Sequence, residues 1–312
     1  MIRAFKISKT GVKEVAWEGL QSFDQCWIDC VNPAPSELFY LNKRLGIKPI
    51  ELKLCLDPNE RPKLLPGDAY TVVIFSVPRL QEYKILTHAF GIILLKDCVV
   101  TIRRGEVKAV EILLNGKGLE FQLLKDGEAK IAFELMSRSL NEYFSIMDQL
   151  EEQIDAIENA VIRRVSKEQV HQVFQIKKTL IYFHKALNAN REVIMEIEKG
   201  YAKQIPKRDT DEFRILYYDV TQLIDMEGVY RDVLTGILDT YLTSISNNLN
   251  DIIKKLTVYA SYVLVPTMIA SIYGMNFRFM PELYWKYGYA FALLIMVASV
   301  VMLYWYFRKK GW

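Results

Sequence analysis

The chain has 312 residues and carries 40 basic and 37 acidic side chains, which give a formal net charge of +3. Only six charged residues lie between Leu256 and Trp312, whereas the first 255 residues, with 35 basic and 36 acidic side chains, have a net charge of −1. This split excludes a purely cytosolic enzyme, and the near-neutral first part argues against nucleic acid as a partner.

The first 105 residues are predicted to begin an α/β domain whose helices continue to about residue 209. Short runs of β-branched and aromatic residues, separated by prolines and glycines, are typical of strands and turns. Two short helical patterns lie at Ser36–Leu45 and Ile50–Leu56. The predicted strands are Met1–Ser8, Gln25–Val31, Ala69–Val77, Lys84–Leu95 and Cys98–Arg103.

Beyond the strands the sequence becomes helical. Residues 106–209 predict cytoplasmic helices, and residues 210–254 predict a stalk helix that continues into the membrane. From about Thr210 nothing interrupts the helical pattern until Gly274, except Pro266. A helix of about 65 residues is about 97 Å long. Because such a helix cannot bury its apolar stripe inside one small domain, we expect it to pack in a bundle with partners.

Two segments of the last fifth are long and apolar enough to cross a membrane. Residues 255–277 and 287–307 are predicted transmembrane helices, because about 20 mostly apolar residues span the hydrocarbon core. Residues 278–286 are the predicted external loop, and residues 308–312 are a basic cytoplasmic tail.

Basic residues flank the two spans on one side of the membrane. Lys254 and Lys255 precede the first span, and Arg308, Lys309 and Lys310 follow the second. The positive-inside rule therefore puts both termini in the cytoplasm. The first residues contain no apolar stretch typical of a signal peptide. We expect a multi-pass protein of the cell (inner or plasma) membrane, with lipid as a partner.

The four cysteines predict reduced, structural thiols rather than a zinc or disulfide site. Cys26 and Cys30 share a strand-like segment, where their spacing is unfavourable for joint ligation of a metal. Cys55 and Cys98 are expected to stand alone.

The sequence lacks the constellations that enzymes use. His88, His171 and His184 are scattered and form no pair with metal-ligand spacing. There is no glycine-rich phosphate loop and no nucleophile elbow. We expect no enzymatic activity and no resident cofactor.

One face of the first span carries small or mildly polar residues. Such a stripe more often marks tight helix packing than a pore. The end of the span favours the pore, because Gly274 removes a side chain and Asn276 offers a neutral amide where the helix meets the outside. At spacings of three or four residues the stripe reads Asn250, Ile253, Thr257, Ala260, Leu264, Thr267, Ser271 and Gly274.

These features resemble the CorA family of magnesium and cobalt transporters. The resemblance rests on Tyr-Gly-Met-Asn-Phe at Tyr273–Phe277, on Met-Pro-Glu-Leu at Met280–Leu283, and on two C-terminal spans with a basic end. Looser similarity lies upstream at Trp27–Asp29, Arg61–Lys63 and Tyr241–Ser244. The resemblance implies a funnel-shaped homopentamer in which the first span of each protomer lines the pore.

The resemblance also implies the roles of individual residues. Gly274, Met275 and Asn276 would form the selectivity filter, and Asn276 would hold the metal ion through its hydration shell, since Mg²⁺ sheds water reluctantly. Glu282 in the external loop would attract cations. The pore and gate would be lined by Asn250, Ile253, Leu256, Leu264 and Thr267.

The expected function is uptake of Mg²⁺, with Co²⁺ and Ni²⁺ as further ions, through a pentameric channel-like pore. Mg²⁺ is then the transported ion and not a cofactor. Two alternatives remain open: a Zn²⁺ transporter of the same superfamily, and a membrane-anchored coiled-coil scaffold that transports nothing.

A regulatory metal site between neighbouring protomers, which the resemblance implies, has lost its carboxylates here. The matching positions are Lys53, Leu54 and Ile215, and these side chains cannot ligate Mg²⁺, which prefers oxygen. We expect closure of the pore to depend less on cytosolic Mg²⁺ bound at this position than it does in members of the family that have the carboxylates. Nearby acids that could supply a shifted site are Asp57, Glu60, Asp211, Glu212 and Asp219.

Overall fold

The chain divides into two compact units, Met1–Leu238 and Asp239–Trp312. Helix α7 begins in the first unit and ends in the second. The computed structural model describes residues 1–8, 11–19, 22–81, 84–115, 119–163, 167–278 and 280–312.

A seven-stranded sheet forms the centre of the first unit. Its strands are β1 (Ile2–Ser8), β2 (Gly11–Val15), β3 (Cys26–Val31), β4 (Lys63–Leu65), β5 (Tyr70–Gln81), β6 (Lys84–Leu95) and β7 (Cys98–Arg103). They lie side by side in the order β2-β1-β3-β7-β6-β5-β4. Among the described strands, β3 and β7 run parallel, and the other neighbouring pairs are antiparallel.

Five strands occur where the sequence predicts them. β6 and β7 have the predicted bounds, β1 and β3 begin one residue later, and β5 extends four residues further than expected. Strands β2 and β4 are not predicted from the sequence. Among the described strands β2, which carries the adjacent charged residues Lys13 and Glu14, pairs only with β1. β4 has three residues, which pair with Val72–Ile74 of β5. Both are edge strands, whose apolar signal is weak.

Eight α-helices complete the described chain. The first helix begins with Pro35 at a position where a missing N–H costs nothing. The Glu37 carboxylate accepts a hydrogen bond from the N–H of Ala34 at 2.7 Å, and Gly46 ends the helix with φ of +69°. The helices are α1 (Pro35–Leu45), α2 (Pro49–Leu54), α3 (Lys108–Asn115), α4 (Leu119–Asp126), α5 (Glu128–Arg163), α6 (Lys167–Glu198), α7 (Lys207–Tyr273) and α8 (Gly288–Lys309).

Apolar side chains cover both faces of the sheet. On one face Phe75 and Phe90 are buried in the same cluster as Tyr143 of α5 and Phe183 of α6, whose rings meet edge to face at 4.8 Å. On the other face Ile74 lies in a second cluster with residues of α1 and α2. The first unit is therefore a three-layer α/β domain, as the sequence predicts.

A buried ion pair joins the parallel strands. Arg103 of β7 donates two hydrogen bonds to the Asp29 carboxylate of β3, at 3.0 and 2.9 Å, and a third to Glu111 at 2.7 Å. The Thr101 hydroxyl donates to Asp29 at 2.9 Å. Because every charge in this group has a partner, the pair is tolerated in the core.

Candidate functional site

The second unit contains the end of α7, a turn, a short 3-10 helix at Pro281–Tyr284, and α8. Helices α7 and α8 each include a stretch that is long and apolar enough to cross a membrane. Their large apolar side chains are exposed in the single chain, for example Leu264 at 66% and Leu294 at 65%. So much exposed apolar surface requires lipid or further protein chains.

Helix α7 has two different sides in this unit. The partly buried side contacts α8, since the rings of Tyr262 and Phe307 lie 6.1 Å apart. Its residues recur every three or four positions, as one helical face requires. They are Val258, Ser261, Tyr262, Val265, Pro266, Ile269 and Tyr273.

The predicted pore residues of α7 lie on the other side. At 3.6 residues per turn they fall within an arc of about 120°, whose centre is about 150° from the centre of the partly buried side. Each is exposed, in agreement with a surface that α8 does not cover. These residues are Asn250, Ile253, Leu256, Leu264 and Thr267.

Two hydroxyl groups of this exposed side are oriented by the helix itself. Thr257 donates to the Ile253 carbonyl at 2.9 Å, and Thr267 donates to the Val263 carbonyl at 2.6 Å. Each hydroxyl oxygen therefore keeps its lone pairs directed away from its own helix as acceptors. Such oxygens can accept hydrogen bonds from the water shell of a cation.

A tight turn ends α7 at the predicted filter. Gly274 donates to Ala270 at 2.9 Å, Met275 donates to Ile272 at 3.3 Å, and these two bonds close the last turn of the helix. A methyl group on Gly274 would lie 3.2 Å from the Ala270 carbonyl oxygen, closer than side chains normally pack. The absence of a side chain at Gly274 thus permits this turn.

Asn276 follows the turn and is exposed. Within the described part of the chain, no hydrogen bond engages its carboxamide. Met275 is also exposed, at 48%. The amide oxygen and nitrogen of Asn276 are consequently available to a ligand outside the chain.

The loop after the turn is fixed by a glycine. Gly288, the first residue of α8, is buried against the backbone carbonyl of Glu282, and a side chain at this position would collide with that carbonyl. Gly288 also donates to the Trp285 carbonyl at 2.9 Å. The half-buried side chain of Glu282 is thus held at the start of the second span. Phe279, part of the predicted external loop, lies outside the described residues.

One chain does not bring the predicted site residues together at a point. From Asn250 to Gly274 they extend along α7 over about 36 Å. They form one line of side chains rather than a pocket, so rings of these residues require further copies of the chain.

Ion pairs occupy most of the acids that could supply a shifted regulatory site. Glu60 pairs with Lys63 at 2.9 Å, Asp211 with Arg214 at 3.3 Å, and Glu212 with Lys130 at 3.0 Å. Burial raises the pKa of the Asp219 carboxyl. Among the described residues, no group of three or more His, Cys, Asp or Glu side chains is placed to hold a metal ion.

The regulatory positions implied by the resemblance are on the surface of the first unit. Lys53 of α2 is exposed, Leu54 is half-buried, and Ile215 of α7 is 57% exposed. None of these side chains supplies a hard oxygen ligand.

The prediction that Cys98 stands alone is wrong. Its sulfur lies 2.7 Å from that of Cys26, because β3 and β7 pair in a register that puts the two residues opposite each other. All four cysteines are buried free thiols. The register of a parallel pair depends on the long crossover between its strands, so the sequence gives no direct signal for this contact.

A second contact that the sequence analysis missed joins α6 to α7. Nδ1 of His184 lies 2.8 Å from the carboxylate of Glu227, whose side chain is 1% exposed. A detectable signal exists here, since Glu227 occupies a position between Leu223 and Tyr230 where the helical spacing requires an apolar residue.

Comparisons with known proteins identify close relatives. The family model for the CorA-like Mg²⁺ transporter protein matches residues 24–309. The chain is 32% identical to the cobalt/magnesium transport protein CorA of Methanocaldococcus jannaschii over 100% of both chains. It is 31% identical to the cobalt/magnesium transport protein CorA of Thermotoga maritima, over 86% of this chain and 77% of that protein. Its structure is similar to the complete structure of the CorA magnesium transporter from Methanocaldococcus jannaschii, with a TM-score of 0.90, 28% identity, and coverage of 100% of this chain and 98% of that chain.

Proposed function

The chain belongs to the CorA-like Mg²⁺ transporter family, and from this premise we propose that it takes up Mg²⁺, Co²⁺ and Ni²⁺ through a pore lined by copies of α7. One observation carries this proposal: the small and polar stripe of α7 lies opposite the side that contacts α8. A stripe that served packing within the chain would face α8 instead.

The pore requires several copies of the chain. Each protomer supplies one stripe, and two spans per protomer cannot enclose an aqueous path. The similarity to CorA proteins supports a funnel-shaped homopentamer with α7 innermost and α8 towards the lipid. The exposed apolar surface of both helices supports the same arrangement.

The filter acts on a hydrated ion. A hydrated divalent cation directs the hydrogen atoms of its water molecules outward, so the pore must offer acceptors. The carboxamide oxygen of Asn276 and the hydroxyl oxygen of Thr267 are acceptors that carry no charge. Neutral acceptors select the hydrated ion without binding it so tightly that it cannot leave.

Apolar rings below the filter form the gate. Ile253, Leu256 and Leu264 are more than half exposed in the single chain, on the stripe side of α7. Repeated around an axis, such side chains produce narrow constrictions that exclude water and therefore ions. Asn250 adds a polar ring at the cytoplasmic end.

The acidic residue of the external loop attracts cations to the outer side of the pore. Glu282 is the one acid of the predicted external loop, and its copies would concentrate cations at the outer mouth. The basic residues that flank the spans place both termini in the cytoplasm. The cargo is then captured outside and released inside.

Ion uptake into proteoliposomes tests this function. The wild type should transport Mg²⁺, Co²⁺ and Ni²⁺, and Asn276→Ala should reduce uptake at least about tenfold, since the lost hydrogen bonds to the hydrated ion are each worth about 1 kcal/mol or more. Asn248→Ala is the matched control, because Asn248 is also an exposed asparagine but lies within α7, about 160° around the helix from the predicted pore residue Asn250. Native mass spectrometry in detergent should report a pentamer for all three proteins.

Each other outcome contradicts part of the proposal. Normal uptake by a pentameric Asn276→Ala protein would exclude Asn276 from the filter. Uptake of Zn²⁺ with no uptake of Mg²⁺ would favour a zinc transporter of the same superfamily. Sealed liposomes with no flux of any of these ions would favour a membrane-anchored scaffold.

A further inference from the structure

Two buried cysteines face each other at one end of the parallel strand pair. Cys26 is the first residue of β3 and Cys98 is the first residue of β7. They are directly paired in the sheet, and each is 1% exposed. Their Sγ atoms lie 2.7 Å apart, which is closer than two sulfur atoms in an ordinary non-bonded contact.

This arrangement brings the two sulfurs close to bonding geometry. A disulfide has a sulfur–sulfur bond of about 2.05 Å and joins residues whose backbones are already close. Adjacent strands of a sheet lie about 4.8 Å apart, near the lower limit of the Cα separation that disulfides span. Small side-chain rotations, without a change of register, are therefore enough to bond Cys26 to Cys98.

The other two cysteines lack such a partner within the described chain. Cys30 pairs with Ile102 in the same ladder, and Cys55 packs against the backbone of Gly91. Burial raises the pKa of both thiols. They serve as internal controls, since both are buried thiols of the same domain, Cys30 in β3 and Cys55 at the end of α2, and neither faces another sulfur in the described chain.

The buried Cys26–Cys98 pair lines a small cavity at one end of the sheet. A cavity of about 60 Å³ is lined by both cysteines together with Gln25, Asp97 and Glu128. Gln25 and Asp97 are exposed, so the cavity opens at the end of the sheet. This cavity is the side of the domain from which a small thiol reagent would reach the sulfurs.

The reduced Cys98 thiol of this pair has low reactivity. Its hydrogen bond with Cys26 and then burial raise the pKa of the Cys98 thiol, which keeps it protonated at neutral pH. Since the thiolate is the reactive form, oxidation is slow and needs a sustained supply of oxidant. A pair of this kind stays reduced under ordinary cytoplasmic conditions.

We propose that Cys26 and Cys98 are a disulfide-forming site that clamps β3 to β7 when the domain meets a disulfide-type or azo-type thiol oxidant. The two thiols lose two protons and two electrons, and one sulfur–sulfur bond forms. A small disulfide that accepts the electrons is cleaved into two thiols, which take up the two protons. An azo oxidant such as diamide accepts the same two electrons and two protons at its N=N bond and becomes the hydrazine.

The bond would join the two halves of the sheet. β2, β1 and β3 lie on one side of it, and β7, β6, β5 and β4 lie on the other. The two cysteines are 72 positions apart in the sequence. A cross-link over so long a loop restricts the unfolded chain strongly, so the oxidised domain unfolds at a higher temperature.

Oxidation of the full-length protein in detergent tests the proposal. After treatment with diamide the intact mass of each protomer should fall by two hydrogen atoms, and a peptide map should show Cys26 linked to Cys98. The thermal unfolding midpoint should rise by about 10 °C relative to the reduced protein. Cys30→Ala should show the same rise, and Cys98→Ala should show none.

Two results would overturn the proposal. In the first, the diamide-treated folded protein keeps its mass, and all four thiols can still be alkylated after it is denatured. The same diamide treatment must oxidise the urea-unfolded protein, which shows that the oxidant is active. The other is a link that involves Cys30, Cys55 or a second protomer. The mass and the peptide map of the wild type decide the question even if Cys98→Ala does not fold.

Discussion

The side chain of Asn190 on α6 takes the place of a missing strand beside Ser76 on β5. Its oxygen accepts the Ser76 N–H at 2.9 Å, and its nitrogen donates to the Ser76 carbonyl at 2.9 Å. Pairing with β4 ends at Ile74, so the edge of β5 is open beyond this point in the described sheet. Both residues are buried, and the amide satisfies backbone groups that water cannot reach.

We expect Asn190→Leu to destabilise the first unit by about 2 kcal/mol or more, because it leaves the buried Ser76 N–H unpaired. The Ser76 carbonyl keeps only the hydrogen bond from the Tyr143 hydroxyl, at 3.3 Å. The thermal unfolding midpoint in detergent should fall by about 5 °C. Asn159→Leu is the control, since Asn159 is exposed and, within the described chain, its side chain donates to the Asp155 carbonyl of its own helix. Equal midpoints for Asn190→Leu and the control would contradict this role.

Leu264→Asn should raise the basal flux of Mg²⁺ through the pore. A polar ring at this position would hold water in the constriction and lower the barrier to a hydrated ion. Ion leak from loaded proteoliposomes measures the effect. Leu294→Asn is the matched control, since Leu294 of α8 is also about two-thirds exposed but belongs to the helix that faces lipid in the proposed pentamer. Unchanged flux in a well-folded Leu264→Asn protein would place Leu264 between helices rather than in the pore.

Acid should weaken the first unit through His88. Both ring nitrogens are buried and have no hydrogen-bond partner within the described chain. Burial, and then the charge of Arg79, lowers the pKa of His88 to about 4. In the unfolded chain the pKa is about 6.5, so between these values the unfolded state binds a proton that the folded state does not.

The stability that neutral His88 supports is therefore complete above pH 6.5 and is lost as the pH falls towards 4. We expect the wild type to be about 2 kcal/mol less stable at pH 5 than at pH 7 from this group alone. Thermal unfolding across this range should show a smaller pH dependence for His88→Phe than for the wild type. His171→Phe, at an exposed position, should leave the pH dependence unchanged.

Cytosolic Mg²⁺ should bind weakly at the surface that carries Lys53, Leu54 and Ile215. A cation beside an ammonium group and two aliphatic side chains gains no oxygen ligand and meets a like charge. Difference density from crystals soaked in Mg²⁺ or in chelator provides the measurement, with Co²⁺ as an anomalous marker. We expect peaks on the pore axis, whereas a strong, coordinated peak beside Leu54 and Ile215 would contradict the loss of this site.

The sequence was sufficient wherever the signal is local. Lys84–Leu95 and Cys98–Arg103 are mostly apolar and rich in β-branched residues, and the structure confirms both as β6 and β7. Helix α7 begins three residues before the predicted start at Thr210 and ends at Tyr273, next to the predicted Gly274. Its periodicity persists over many turns, which makes such a helix the easiest element to recognise.

Non-local features could not be predicted in the same way. β4 is too short to be recognised from sequence, and it forms because Lys63–Leu65 pairs with the edge of β5. The stripe of α7 was visible as a pattern, but only the burial of Tyr262 and its neighbours tells which side α8 covers. Likewise the contact of Cys26 with Cys98 depends on a register that only the folded sheet sets.

The contact between Gly288 and the Glu282 carbonyl limits how the outer mouth can be retuned. Since no side chain fits at Gly288, the 3-10 helix and the first turn of α8 are held together by direct backbone contact. Inserting or deleting a residue between them would break this backbone contact and would not simply move Glu282. In the proposed pore, the charge at the entrance can therefore be removed by Glu282→Gln while the backbone position of residue 282 is kept by its contact with Gly288.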